Sequence, residues 1–282
     1  MGTLFVVGTP IGNLGDISLR ALEVLRAVTQ IVAEDTRRAG LLLKRFEIHK
    51  PLISLFEHNE ALRVDWVLAA LESGDVALIS EAGMPGLSDP GYDLIRAAID
   101  RGFRVTPIPG PTAATAALVV SGLPTDSFVF LGFLPRRSSE RRSLLESVAY
   151  LPRTLVAYEA PHRLAESLAD VEAVLGDRQI VVARELTKVH EEIWRGLVSA
   201  ARAHFADGVL GEITLVIAGS PPEPAWDESA VREALHQAMV EGAGTGAATR
   251  EVTKLSHWPR REVHRLALEI ARGLRTADAR SE

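Results

Sequence analysis

The sequence predicts two consecutive α/β domains followed by a small helical domain. Three observations carry this. Between residues 3 and 110, short apolar runs alternate with stretches of helical spacing. The Gly- and Pro-bearing turn "SGLPTDSF" (121–128) then separates that series from a second set of apolar runs. Finally, the proline-rich "SPPEPAW" (220–226) precedes a tail with helical patterns only. The domains are therefore expected at 1–121, 122–221 and 227–282, a division that suits 282 residues.

The elements follow in order. "TLFVVG" (3–8) is a β-rich run ended by glycine. "SLRALEVLRAV" (18–28) opens on a capping serine and repeats leucine at helical spacing through Leu19, Leu22 and Leu25. Then come a strand at 30–34, a helix at 36–45, a strand at 51–56, a helix at 60–73, a strand at 75–80, a helix at 92–102 and a strand at 104–110. Strand–helix–strand units of these lengths imply a largely parallel sheet, and continuous apolar strands suit a sheet covered on both faces. In the second block, strands are expected at 128–135, 153–161, 179–185, 191–198 and 211–219, with helices between several of them. The tail reads as a helix at 228–242, a turn, a short helix, the "HWPR" turn and a longer amphipathic helix. That arrangement is helix-turn-helix-like, or else a helical hairpin packed on the body.

Composition narrows the function. There is no cysteine, which excludes disulfides, thiolate metal sites and a cysteine nucleophile and fits a reducing compartment. "MGTLFVVGTPIGN" has no basic leader, and no run reaches the roughly 20 apolar residues of a membrane span, so a cytoplasmic, non-membrane protein is expected. No His/Asp/Glu spacing resembles a metal site. The formal charge is −6, yet the cations are clustered. "RRSSERR" (136–142) carries four Arg against one Glu, and residues 249–275 carry seven cations against three Glu, a local +4. Each cluster reads either as a phosphate-binding face or as a solvated helix surface.

The loops after the strands carry the chemistry. "LISEAGMPGLSDPG" (78–91) ends an apolar strand in glycine, proline and little bulk. "PGPTAATAA" (109–117) is equally thin. In an open parallel sheet, ligands bind beyond the carboxyl ends of the strands. Such loops let backbone groups touch a ligand and build a smooth slot, suited to an adenosine-bearing cofactor held by backbone bonds. "VVGTPIGNLGD" (6–16) matches neither a dinucleotide nor a Walker fingerprint, which argues against NAD and ATP. "AEDTRR" (33–38), "FEHNE" (56–60), "YEAPHR" (158–163) and "ARELTK" (183–188) add carboxylates, imidazole, amide and guanidinium groups to the same edge. Taken singly, each has a plainer reading as a helix cap or a surface pair.

In order along the chain, "TPIGNLGDISLRALE", "AEDTRR", "SEAGMPGLSDPG", "PGPTAATAAL", "SGLPTDSFVFLGFLPRR", "YEAPHRL", "ARELTK" and "GEITLVIAG" resemble the ribosomal RNA small subunit methyltransferase I family. That family is a branch of the tetrapyrrole-methylase-like, class III S-adenosylmethionine (SAM) methyltransferases. The resemblance spans residues 2–220, and the tail resembles the family's C-terminal helical domain. It implies two α/β domains of the tetrapyrrole-methylase type with SAM between them, a homodimer, and 2′-O-methylation of a cytidine in 16S ribosomal RNA at the decoding centre of the small subunit. Methylation of a tetrapyrrole or a protein side chain on the same fold is the alternative, although neither substrate explains two arginine clusters and a helical tail.

The resemblance carries over a cofactor slot of Pro10, Ile11, Gly12, Ala82, Gly83, Met84, Leu87, Thr112, Ala113, Glu159, Ala160, Ile213 and Thr214, with Glu81 beside it. Here the chain departs from the family, which has Asp-Ala-Gly-Thr-Pro where Glu81–Pro85 stand. Glu81 keeps the charge, and Met84 loses a hydroxyl. A ribose hydroxyl needs a proton acceptor as it attacks. Asp35 is the candidate and His58 its rival, with Arg37 placing the nucleotide. Asn59, Arg136, Arg137, Arg163, Arg184, Lys188, Arg260 and Arg261 are the expected substrate contacts.

Overall fold

The computed structural model describes residues 1–55, 60–221, 226–256 and 258–278, and the side chains of 60–62 and 273–278 are outside the description. The chain forms two compact units, Met1–Ser220 and Pro221–Glu282. Unit 1 holds two five-stranded sheets.

The first sheet contains β1 (Thr3–Val7), β2 (Gln30–Ala33), β3 (Leu52–Ser54), β4 (Val76–Ile79) and β5 (Arg104–Ile108), in the order β3-β2-β4-β1-β5. Every pair is parallel, as the alternation of strands and helices predicts. On one face lie α1 (Leu19–Ala27) and α2 (Thr36–Arg45), which bury Leu22, Leu25 and Leu43 against Val7, Ile31 and Ile79. On the other lie α3 (Glu60–Ser73) and α4 (Tyr92–Asp100), which bury Val67, Leu71 and Leu94 against Leu4, Val32 and Leu78. The strands are apolar on both faces because both faces are covered. Ser18 starts α1 as its sequence suggests, accepting the Ala21 N–H at 3.1 Å.

The second sheet is mixed. Its strands are β6 (Phe128–Phe133), β7 (Thr154–Glu159), β8 (Gln179–Arg184), β9 (Glu192–Leu197) and β10 (Ile213–Ile217), in the order β6-β7-β10-β8-β9. Only β6 and β7 pair in parallel. One face carries α6 (Ser138–Val148), α7 (Leu164–Leu175) and α8 (Val198–His204). Against the other face packs α5 (Ala113–Ser121), the helix that follows β5 of the first sheet. Its small residues explain the fit. Ala114 and Ala117 let the helix lie close to Val156, Val181 and Val216, so one apolar cluster joins the two sheets.

Unit 2 is a three-helix unit of α9 (Glu228–Val240), α10 (Thr245–Ser256) and α11 (Arg260–Asp278). Val231, Leu235, Ala248, Val252, Val263 and Leu266 form its core. Asp227 caps α9 through the Ala230 N–H, and the Trp258 indole donates to the Trp226 carbonyl at 2.6 Å. Among the described residues, no helix is long and apolar enough to cross a membrane.

Candidate active site

β1 and β4 are neighbours in the first sheet, so the loops leaving their carboxyl ends emerge side by side. Thr9 and Gly83 then exchange both backbone bonds across them, at 2.8 and 3.1 Å. Gly8 and Gly110 meet backbone to backbone: a Cβ on Gly8 would lie 2.6 Å from the Gly110 Cα, so no larger residue fits there. The thin loops thus close over one another and form the floor of a cavity.

That cavity has a volume of about 400 Å³. Of the residues expected around a cofactor, all but Pro10 and Gly12 line it, including Glu81 and Met84. Pro10 and Gly12 line a smaller neighbour of about 290 Å³ together with Arg38 and Lys188. Gly12 has a second duty. A Cβ there would sit 2.8 Å from the Thr187 hydroxyl and 3.0 Å from the Leu186 carbonyl, so glycine lets the first loop press onto residues 186–188. Thr112 caps α5 through the Thr115 N–H.

The main cavity also recruits residues the sequence reading had not assigned: Glu34, Asp89, Phe133, Tyr158, Leu186 and Glu212. Glu34 and Asp89 fall inside motifs already singled out, "AEDTRR" and "GLSDPG". For Glu34, its position directly after the strand was the available signal. Tyr158 opens the motif "YEAPHR", also singled out, but its ring gave no sign that it would line the cavity, and Phe133 carried no signal beyond its strand pattern. Their rings stand 5.3 Å apart.

No lysine, arginine or histidine lines the main cavity among the described residues, whereas Glu34, Glu81, Asp89, Glu159 and Glu212 do. Four of these carboxylates are engaged. Arg38 ion-pairs with Glu81. Asp89 accepts the Ser80 hydroxyl. Glu159 is fully buried and takes the Arg163 guanidinium at 2.6 Å, the Ala160 N–H at 2.6 Å and the Ser167 hydroxyl. Glu212 takes the Lys188 ammonium at 3.0 Å. Burial, then the neighbouring Asp89 and Glu81 charges, push the Glu34 carboxyl up to about 7. Burial also raises Asp89, to about 6, against the Ser80 hydrogen bond and with help from Glu81.

The remaining expected residues are dispersed. Asp35 lines neither cavity; its carboxylate caps α2, accepting from Arg37 N at 2.7 Å and Arg38 N at 3.3 Å, with the Arg37 guanidinium at 3.2 Å. The hydrogen bonds from Arg37 hold its pKa below the usual carboxylate value. Arg37 itself projects outward, with a side chain 90 % exposed. His58 and Asn59 lie outside the described residues. Arg163, Arg184 and Lys188 are committed to Glu159, Glu192 and the Glu185/Glu212 pair.

The arginine cluster at 136–142 is largely answered. Arg137 pairs with Glu140, while Arg141 and Arg142 both pair with Asp170, each at 2.6 Å. Arg136 has no such pair among the described residues. Arg260 and Arg261 begin α11 in unit 2, both exposed.

Comparison with known proteins decides the family. The family model described as Tetrapyrrole (Corrin/Porphyrin) Methylases matches residues 3–202. The chain is 47 % identical over 275 residues to "Ribosomal RNA small subunit methyltransferase I" of Synechocystis sp., covering 96 % of this chain and 99 % of that protein. The protein of the same name from Escherichia coli O157:H7 is 48 % identical over 223 residues, 77 % of this chain and 78 % of its own. The chain belongs to the ribosomal RNA small subunit methyltransferase I family. Solved structures confirm the fold of this family member. Diphthine synthase superposes with a TM-score of 0.60 at 15 % identity, over 77 % of this chain and 90 % of its own. Uroporphyrin-III-C-methyltransferase from Thermus thermophilus gives 0.55 at 20 %, over 77 % and 94 %.

Proteins of the ribosomal RNA small subunit methyltransferase I family and of the wider tetrapyrrole methylases are SAM-dependent methyltransferases. The cavity fits that cofactor. SAM carries a sulfonium and an ammonium against one carboxylate, a net positive charge, and among the described residues the wall offers carboxylates and no cation. A phosphate-bearing cofactor would meet the opposite of what it needs.

Proposed function

We propose that the protein is a 16S ribosomal RNA (cytidine-2′-O)-methyltransferase acting at the decoding centre of the small subunit. The observation that carries this is the end-to-end similarity to ribosomal RNA small subunit methyltransferase I of Synechocystis sp.. The cavity wall, acidic and free of cations among the described residues, supports the protein's use of SAM. We also read the protein as a cytoplasmic homodimer, as its family resemblance implies.

In this reading Ala82, Gly83, Met84, Thr112, Ala113 and Thr214 hold the cofactor. SAM then supplies a methyl group with a neutral thioether as leaving group. Met84 serves through its backbone and its bulk, since it has no hydroxyl to offer. The closely packed loops fix the bound geometry, which is the main help such a transfer needs. Arg37, exposed at the start of α2, presents its guanidinium group to the nucleotide phosphate.

The test is direct. Purified protein is incubated with SAM and small ribosomal subunits. The RNA is then read by primer extension at low nucleotide concentration and by mass spectrometry of its nucleosides. The expected product is 2′-O-methylcytidine at one decoding-centre position. A base-methylated nucleoside, or transfer to a free tetrapyrrole instead of RNA, overturns the reading.

A further inference from the structure

We propose that Glu34, rather than its neighbour Asp35, is the catalytic residue that takes the proton from the attacking ribose hydroxyl. This rests on the functional reading above.

The argument begins with backbone geometry. β2 ends at Ala33, Glu34 stands in the bend that follows it, and Asp35 is the N-cap of α2. Glu34 and Asp35 accordingly part company. Glu34 enters the wall of the main cavity, whereas Asp35 turns to the first turn of α2. There it accepts two backbone N–H groups and the Arg37 guanidinium, so its lone pairs are committed to holding the helix start.

Among the five carboxylates that line the cavity, Glu34 alone has no hydrogen-bond or ion-pair partner among the described residues. Glu81 is held by Arg38, Asp89 by the Ser80 hydroxyl, Glu159 by Arg163, Ala160 and Ser167, and Glu212 by Lys188. A proton acceptor needs an open lone pair facing the substrate. It also needs a way to pass the proton on, and Glu34 is only half-buried.

Its proton affinity suits the task. The charged groups around it are Asp89 and Glu81 from the loop after β4, Arg38 from α2, and Asp35. Burial and the three like charges outweigh Arg38, so the carboxyl titrates near neutrality, where a general base works best. Asp35, shifted the other way, is a poorer acceptor.

The step balances. The ribose O2′–H bond breaks and its proton passes to a Glu34 carboxylate oxygen. O2′ gains the methyl carbon, the bond to sulfur breaks, and its electron pair stays on the departing neutral thioether. Glu34 then releases the proton to water.

Four proteins test this in full-length form: wild type, Glu34→Gln, Glu34→Asp and Asp35→Asn. Each is assayed for SAM affinity by calorimetry and for single-turnover methylation of small subunits from roughly pH 5.5 to 8.5, the range in which such a base titrates. E34Q should lose on the order of 10²–10⁴ in rate with SAM affinity within about twofold of wild type. The wild-type rate should climb with pH and level off above neutrality, and E34Q should lose that climb. E34D should retain the climb at a reduced rate, and D35N should retain it with its midpoint unmoved, whatever its rate.

An E34Q rate near wild type overturns the proposal. So does a loss confined to SAM affinity, which would make Glu34 a cofactor contact. Failure of the functional reading shows elsewhere: the wild type binds SAM yet leaves no 2′-O-methyl group on the RNA, and the proposal falls with it.

Discussion

The Tyr158 hydroxyl accepts the Ala114 backbone N–H at 3.3 Å. The bond ties β7 of the second sheet to the first turn of α5, where helix N–H groups lack partners of their own. Phe130 and Phe133 pack on the Tyr158 ring, with centroids 5.1 and 5.3 Å away. Burial raises the phenol pKa, which keeps it neutral. Tyr158→Phe removes the acceptor and keeps the ring. Urea unfolding should show a loss of about 1 kcal/mol with an unchanged m-value. An unmoved midpoint would show that water replaces the hydroxyl.

Ala113, the first residue of α5, is half-buried in the cavity wall. Leucine is an excellent helix former, so Ala113→Leu should fill the cavity and spare the helix. We expect SAM affinity to drop more than about tenfold, with a melting temperature within a few degrees of wild type. Unchanged affinity by calorimetry would remove this cavity from the cofactor's path. Gly83 is a less clean position, since its φ of +84° would strain any branched residue and confound binding with stability.

Arg141 and Asp170 form a buried ion pair, with side chains 1 % and 5 % exposed. Removing one partner strands the other charge. Asp170→Ala should therefore destabilise the protein by about 3–5 kcal/mol, and the doubly substituted R141M/D170A should recover part of that loss. Burial pushes the Asp170 pKa up, but hydrogen bonds from Arg142, Ser138 and Arg141 outweigh it and leave it lowered. Its stabilisation is thus present at neutral pH and is lost as pH falls below the ordinary carboxylate range.

Glu34 and Asp89 act with the opposite sign. Their folded values, about 7 and about 6, lie above those of an unfolded chain. The folded protein holds extra protons between, so this contribution is full only below about pH 4, where the unfolded carboxyls are also protonated, and is lost progressively as pH rises through 6 and then 7. Without SAM, the melting temperature should fall between roughly pH 4 and 8, and Glu34→Gln should flatten the upper part of that slope. A wild-type curve flat across this range would contradict the burial of both groups.

The role of unit 2 is open to truncation. Every residue that lines the two cavities lies in Met1–Ser220, and Pro221–Glu282 is a separate compact unit. Deleting the chain after Ser220 should therefore leave SAM binding intact. Within unit 2, Arg232 and Arg265 are neutralised by Glu228, Glu262 and Glu269, whereas Arg250, Lys254, Arg260 and Arg261 are exposed without ion pairs among the described residues. If these cations meet RNA phosphates, truncation should weaken subunit binding and flatten its salt dependence by roughly 0.7 per lost contact. An unchanged slope, with loss of thermal stability or oligomeric state alone, would assign unit 2 to packing.

Hydrophobic period, a capping serine, glycines at strand ends and a proline-rich junction are local signals. They were enough to predict the parallel sheet, the helical tail and the thin slot at the carboxyl edge. Most of the cavity wall was placed instead by the resemblance of the strand-end motifs to the methyltransferase family. What the local signals could not supply was the partner of any charge. "RRSSERR" reads as a basic patch until Asp170, 29 residues beyond Arg141, packs into it and takes two of its arginines. Arg163, Arg184 and Lys188 read as substrate contacts until buried or facing carboxylates claim them. Glu34 and Asp35 are adjacent carboxylates in one motif, and only the path of the chain through β2 into α2 gives one to the cavity and the other to a helix cap. A periodic pattern commits each segment to an element because burial of its own apolar face is at stake. A charge is decided by whatever the rest of the fold brings within reach, and that depends on long-range contacts the local pattern does not encode.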